Sequence, residues 1–305
     1  MKKIFLTIFT LLLFGQMSFA GEENIAYLTK KGFFDKPQKT VSYSNPYEEI
    51  RKSLYQHSRY ANLYNLNSLK DLYAENYVNA DGLNKNIYFD LIKKTWASYP
   101  DVKYKIDIKS IDINSNTASV IVSESASATT NTKSGVVNEK GLLLSYSTSI
   151  YYFEKINNQW LITSDNILSE KTYLLYGSAK KIKVDLDAPM QVQGGSSYTA
   201  TLKLDVPKDS LVIASIGKEN ITYPQTTAEE VFRKVPEDGI LERVFTANEK
   251  NMNEYAVASY GVTKAEIKNG VDIKIYVTGL GFVMTRVNNV AKNEYIRVVD
   301  NEKNN

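Results

Sequence analysis

The sequence predicts an α+β fold, with helices on one side of a curved antiparallel sheet, followed by an all-β, sandwich-like portion. Three observations predict it. Between residues 47 and 99, apolar side chains recur at spacings of three and four, the period of a helix with one buried face. From 102 onward the period drops to two, the mark of strands with one buried face. Beyond 181 only short alternating runs remain, punctuated by Gly, Pro and Asn, as in a β-sandwich of immunoglobulin-like type. Packing the helices against the first strands is the economical way to bury both apolar faces.

The bulk properties bound what the chain does. Its 305 residues suffice for two ordinary cores, and 43% hydrophobic with 23% charged residues is the balance of a globular protein. Met1-Lys2-Lys3, an apolar run from Ile4 to Phe14 and the small residues Ser18 and Ala20 predict a secretory signal peptide over 1–20, cleaved before Gly21. That run is too short for a spanning helix, which needs about 20 residues. The expected address is the periplasm or the medium, without a lipid anchor, since the chain has no cysteine. Without Lys2 and Lys3 the basic residues nearly balance the 34 acids, which argues against nucleic acid as a partner. One histidine and no cysteine leave no ligand set for zinc or most transition metals, and no cofactor motif occurs. The 22 tyrosines suggest a carbohydrate or aromatic-ligand surface, or simply a compositional bias shared with Lys, Asn and Ile.

In chain order, 21–44 is a polar lead-in. Asn45-Pro46-Tyr47-Glu48 starts a helix, with a side-chain cap, Pro in the first turn and an acid behind it. Tyr47, Ile50, Leu54, His57, Ala61 and Tyr64 form its apolar stripe. A short helix is expected over 68–74 and a third over 85–98, with Tyr88, Leu91, Ile92, Thr95 and Trp96 inward and Pro100 as its stop. Tyr104, Ile106 and Ile108 alternate with Lys and Asp until the parity slips at Ser110, which predicts a bulge. Ala118, Val120, Val122, Ala126 and Ala128 share one face of the next strand. Leu142, Leu144, Tyr146, Thr148, Ile150 and Tyr152 then define the expected buried parity of a long strand, with serines opposite. That parity sends Tyr152 inward and Tyr151 outward. Asn157-Asn158 makes the turn into a return strand at Trp160. A connector over 171–180, a sandwich over 181–300, one helix over 227–235 and a frayed tail over 301–305 complete the expectation.

Residues 45–170 resemble the nuclear transport factor 2-like (ketosteroid isomerase-like, SnoaL-like) superfamily. The resemblance is carried by the capped first helix, by Tyr99-Pro100-Asp101-Val102-Lys103-Tyr104, by the hairpin Ile111-Asp112-Ile113-Asn114-Ser115-Asn116-Thr117-Ala118 and by Tyr152-Phe153-Glu154-Lys155-Ile156-Asn157-Asn158-Gln159-Trp160. It implies a cone-shaped α+β domain with an internal pocket, and no particular activity. Members that isomerise ketosteroids place a Tyr on the first helix and an acid after the second. Tyr60 or Tyr64 and Asp81 are the nearest positions here. The histidine and paired acids near the last strands of cyclase-like members have no match, Asp165 being the lone acid from 160 to 168.

His57, on the stripe of helix one, offers a general base, or else fills the core as a hydrogen-bonded imidazole. Asp81 lies in Asn-Ala-Asp-Gly and reads as a proton-abstracting acid or as a plain turn residue. Glu124 is the one acid on the apolar parity of its strand, a pocket acid or the point where the strand leaves the core. The catalytic candidates are therefore His57, Asp81 and Tyr60, and the pocket candidates Tyr64, Tyr88, Trp96, Tyr104, Glu124 and Tyr146. The expected function is a non-catalytic binding or scaffold protein. Its expected partners are a small apolar or peptide-like ligand, a second copy met through the first sheet, or an envelope protein met through the second portion. The alternatives are a cofactor-independent lyase or isomerase and a structural envelope component.

Overall fold

The computed structural model describes residues 45–208, 210–224, 230–268 and 272–291. The expected signal peptide, lead-in and tail and the first residues of the helix expected over 227–235 lie outside them.

Three helices come first. α1 (Pro46–Asn62) is capped by the Asn45 side chain, which accepts from the Tyr47 amide, with Pro46 where its missing N–H costs nothing. α2 (Leu66–Lys70) is capped by Asn65, two residues earlier than expected, and α3 (Lys85–Ser98) by Asn84. The antiparallel strands β1 (Lys103–Asn114), β2 (Thr117–Lys133), β3 (Lys140–Ile156) and β4 (Gln159–Gly177) follow. The bulge expected at Ser110 is present, and Asn157 and Asn158, at φ 48° and 65°, form the tight turn between β3 and β4.

The remaining strands are β5 (Val184–Asp187), β6 (Gln191–Gln193), β7 (Ser197–Leu204), β8 (Leu211–Asn220), β9 (Arg233–Lys234), β10 (Ile240–Thr246), β11 (Glu254–Lys268) and β12 (Asp272–Val290). They do not form a separate sandwich of their own. β12 pairs with β4, so one sheet runs β1-β2-β3-β4-β12-β11-β8-β9, with β6 parallel to the far end of β12. A small sheet, β10-β7-β5, is separate from it. The segment expected as a connector is thus strand through Gly177, because Lys171–Leu175 pairs with β3 on one side and Lys171–Gly177 with β12 on the other. Instead of a helix over 230–235, Arg233–Lys234 add an edge strand to β8. β12 runs unbroken through Gly279-Leu-Gly281. Glycine is required at both positions because a Cβ has no room: at Gly281 it would lie 2.1 Å from the Tyr260 ring and at Gly279 2.4 Å from the Ala179 amide nitrogen.

The large sheet carries a core on each face. On its inner face, α1 and α3 cover β1–β4, with Ile50, Leu54, Phe89, Val120, Val122, Leu143 and Phe153 buried between. On the other face the small sheet covers the β4–β12–β11–β8 end, burying Leu186, Ala200, Leu202, Val212, Ala256, Val283 and Val287. β4 serves both, Leu174 and Tyr176 belonging to the first core and Leu175 to the second.

The parity expected for β3 is reversed. Gly141, Leu143, Ser145, Ser149, Tyr151 and Phe153 are buried, while Tyr146 and Tyr152 are 51% and 40% exposed. The serines face inward because small hydroxyl side chains leave room for the rings packed over the sheet, and they bond to the buried Glu124 on β2 and to the Thr172 hydroxyl on β4. Helices on one face of a curved antiparallel sheet match the arrangement that the resemblance implied.

Candidate functional site

The inner face of the sheet holds a chain of buried polar groups rather than a purely apolar core. His57, from α1, places Nε2 2.5 Å from the Tyr73 hydroxyl, which lies 3.2 Å from the hydroxyl of Tyr88 on α3. Tyr73 comes from the turn after α2, held by its backbone against Ile162. The rings of Tyr73, Tyr77, Tyr88 and Phe89 meet edge-on or tilted, with centroids 4.9 to 5.5 Å apart, and so fill the space between helices and sheet. The Tyr77 hydroxyl donates to Asp165 on β4. Glu124 on β2 accepts from Ser149 at 2.9 Å and from Ser147 at 3.3 Å, both on β3.

A second cluster closes the end nearest β12. Arg286 sends two N–H groups to Asp81, at 2.6 and 3.1 Å, and its Nε to Asn288 at 2.8 Å. Both charged side chains are sealed from solvent. Asn253 adds a third donor to Asp81 at 2.7 Å. Beside them Tyr255 on β11 donates to Glu170 on β4 at 2.7 Å, and a hydroxyl pair, Ser145 and Thr172, lies next to Glu170. Asp81 sits where chain geometry puts it, in a turn whose Asn79 side chain accepts from the Asp81 and Leu83 amides.

Burial dominates the electrostatics. It lowers His57 to about 3, so the imidazole is neutral across the physiological range. It raises Glu124 well above the usual carboxylate range, against the opposing hydrogen bonds from Ser149 and Tyr151. Asp165 is raised to about 7 by burial, with Tyr77 pulling the other way, and Glu170 to about 7 by burial, with Tyr255 opposing. Tyr73, Tyr77, Tyr88 and Tyr151 are all pushed well above the usual tyrosine value by burial. Burial also works against the Arg286 charge, but Asp81 and its neighbours outweigh it and hold the guanidinium protonated.

The structure brings together His57, Tyr88 and Glu124 among the residues singled out from sequence. Tyr60 is half-buried at the edge of the same core. Tyr64, Trp96 and Tyr104 form a second group at the α1–α3–β1 corner. There the Trp96 indole donates to the Tyr104 hydroxyl at 2.9 Å, and the Tyr64 hydroxyl donates to the Pro100 and Val102 carbonyls. Asp81 is engaged with Arg286, away from His57. Tyr146 points away from the cone, a correction that follows from the reversed parity of β3.

Arg286, Asp165, Glu170, Tyr73, Tyr77, Tyr151 and Tyr255 were missed. Arg286 had a legible signal, being the lone charge within the apolar stretch 280–287. Glu170 was hidden at the border of the expected connector.

No family model matches the chain, and no curated protein matches it. Solved structures do. A putative scytalone dehydratase from Novosphingobium aromaticivorans is 16% identical, over 40% of this chain and 81% of its own, at a TM-score of 0.34. A hexachlorocyclohexane dehydrochlorinase, LinA-type3, from Novosphingobium barchaimii is 11% identical, over 40% and 84%, at 0.33. A nuclear transport factor 2-like superfamily protein from Salmonella enterica is 12% identical, over 39% and 87%, at 0.32. Each is a likeness of fold over about two-fifths of this chain, and nothing of those proteins' chemistry passes to it.

Proposed function

We propose that the chain is an exported, non-catalytic interaction protein whose helical half is a closed scaffold and whose strands beyond 181, which extend the same sheet and cover one of its faces, form a second partner surface. One observation supports this most. The acids and the imidazole that a reaction would need are each bonded to a tyrosine, a serine or Arg286, behind rings that are themselves buried. A ligand would have to displace those rings first. Outside, the outer face of β2 and β3 presents the exposed Tyr146 and Tyr152 beside a row of Ser and Thr, which suits contact with another protein surface. Native mass spectrometry of the protein purified after expression of the full chain tests the reading. The expected spectrum contains only whole-protein species. A discrete added mass of a few hundred daltons that disappears on denaturation would overturn it.

A second reading, proton transfer by a lyase or isomerase inside the cone, is favoured by one specific observation. Asp165, raised to about 7 and in contact with the Tyr77 hydroxyl, has the proton affinity of a general acid or base at neutral pH. Turnover of a ketone or enol substrate that Asp165→Asn abolishes, with the variant still folded, would establish it in place of the first.

A further inference from the structure

β11 and β12 run on together beyond the rest of the sheet. β8 stops pairing with β11 at Thr263, and β4 stops pairing with β12 at Gly279. From there Lys264–Lys268 and Asp272–Tyr276 pair only with each other among the described residues, past a bulge that lies between Val262 and Thr263 in the β11 register. The result is a two-stranded arm. Both of its faces are open: Lys264, Ala265, Glu266, Lys274, Ile275 and Tyr276 are all exposed, Ile275 at 62%. A lone two-stranded ribbon is marginal in water, and its unpaired edges are templates for another strand.

We propose that this arm joins two copies of the chain, β11 edge to β11 edge, about a twofold axis at Ala265. The arm's own residues make the case for a second copy. An antiparallel pair centred on Ala265 sets Lys264 of each chain directly opposite Glu266 of the other, so one sequence supplies both halves of two cross-strand ion pairs. The register within the arm extends the match. Glu266 is already paired with Lys274 and Ala265 with Ile275. One face of the four-stranded ribbon then carries Lys274, Glu266 and the second copy's Lys264 in alternating sign. The other carries an unbroken apolar row, Ile275–Ala265–Ala265–Ile275. This inference concerns a strand edge remote from the cone and holds whichever reading of the cone is right.

Sedimentation equilibrium of the full protein and two variants tests it. The wild type is expected to form a dimer. Lys264→Glu puts like charges opposite each other twice and is expected to raise the dimer dissociation constant about tenfold or more. Lys264→Glu with Glu266→Lys and Lys274→Glu restores opposite charges both across the axis and within each arm, and is expected to recover most of that loss, which a merely unfolded arm would not do. A monomer at high protein concentration would overturn the proposal. So would a dimer indifferent to Lys264→Glu, which would place the contact elsewhere, such as the outer face of β2 and β3.

Discussion

The two faces of the large sheet, built partly from the same strands, bury different chemistry. Toward the small sheet, β4, β11 and β12 offer Leu175, Ala256, Ala258, Val283 and Val287 to Leu186, Ala200 and Leu202, a close-packed aliphatic layer. Toward the helices they offer Asp165, Glu170, Thr172, Tyr255 and Arg286, all buried. The small-sheet face is held mainly by shape, its one buried carboxylate, Glu254, being pinned at the end of β11 by Tyr198 and Lys218. The helix-covered face is held by partners, so each polar group there depends on the one it touches. The difference teaches where the molecule is plastic in chemistry and where it is only packed.

The largest expected effect breaks the polar face at its most costly contact. Arg286→Met leaves Asp81 buried with Asn253 as its remaining side-chain donor and is expected to destabilise the protein by about 3–5 kcal/mol. Adding Asp81→Asn is expected to recover a large part of it. Urea unfolding midpoints of the single and double variants measure this, and a double variant no better than the single would show that the pair does not act as a unit.

On the aliphatic face, Leu202→Ala is expected to cost about 2–4 kcal/mol through lost packing. That cost should be the same at pH 5 and pH 8, since no titrating group changes its surroundings. A cost that varies with pH would erase the contrast between the faces.

Asp165→Asn sharpens the contrast in the opposite sense. The carboxyl's folded pKa is raised, so its contribution is fully present below the unfolded value near 4 and is lost as pH rises through about 7. The wild type should therefore lose on the order of 2–4 kcal/mol relative to Asp165→Asn between pH 4 and pH 8. Glu170 works in the same direction. His57, lowered to about 3, works against both, its contribution being present above about 6.5 and lost on acidification. Comparing the variant with the wild type isolates the one carboxyl, and parallel stability profiles would refute its raised pKa.

Smallest of all, Ser149→Ala removes the shorter of the two serine hydrogen bonds to Glu124 and is expected to cost about 1–2 kcal/mol, while Tyr146→Ser on the opposite side of β3 should cost less than about 0.5. Equal costs would mean that β3 does not present its serines to the core.

What the sequence determined by itself was local. Asn45 and Pro46 start α1, the parity slip at Ser110 makes the bulge, and Asn157-Asn158 turns β3 into β4, because caps, bulges and tight turns are decided by a few adjacent residues. The buried face of β2, including Glu124, was legible for the same reason, since its small apolar residues alternate without ambiguity. β3 was not. Its Leu and Tyr residues outnumber the serines opposite, and hydrophobicity alone sends them inward. Only the tertiary structure shows that the inner face must hold Glu124 and the rings from α3 and from the segment between α2 and α3, so that serine fits where leucine would not. The pairing of Asp81 with Arg286, 205 positions apart, and the fusion of β4 with β12 into one sheet were likewise decided by tertiary structure. A strand carries no mark of which neighbour will take its edge, and a buried charge is tolerated only where the fold delivers its partner.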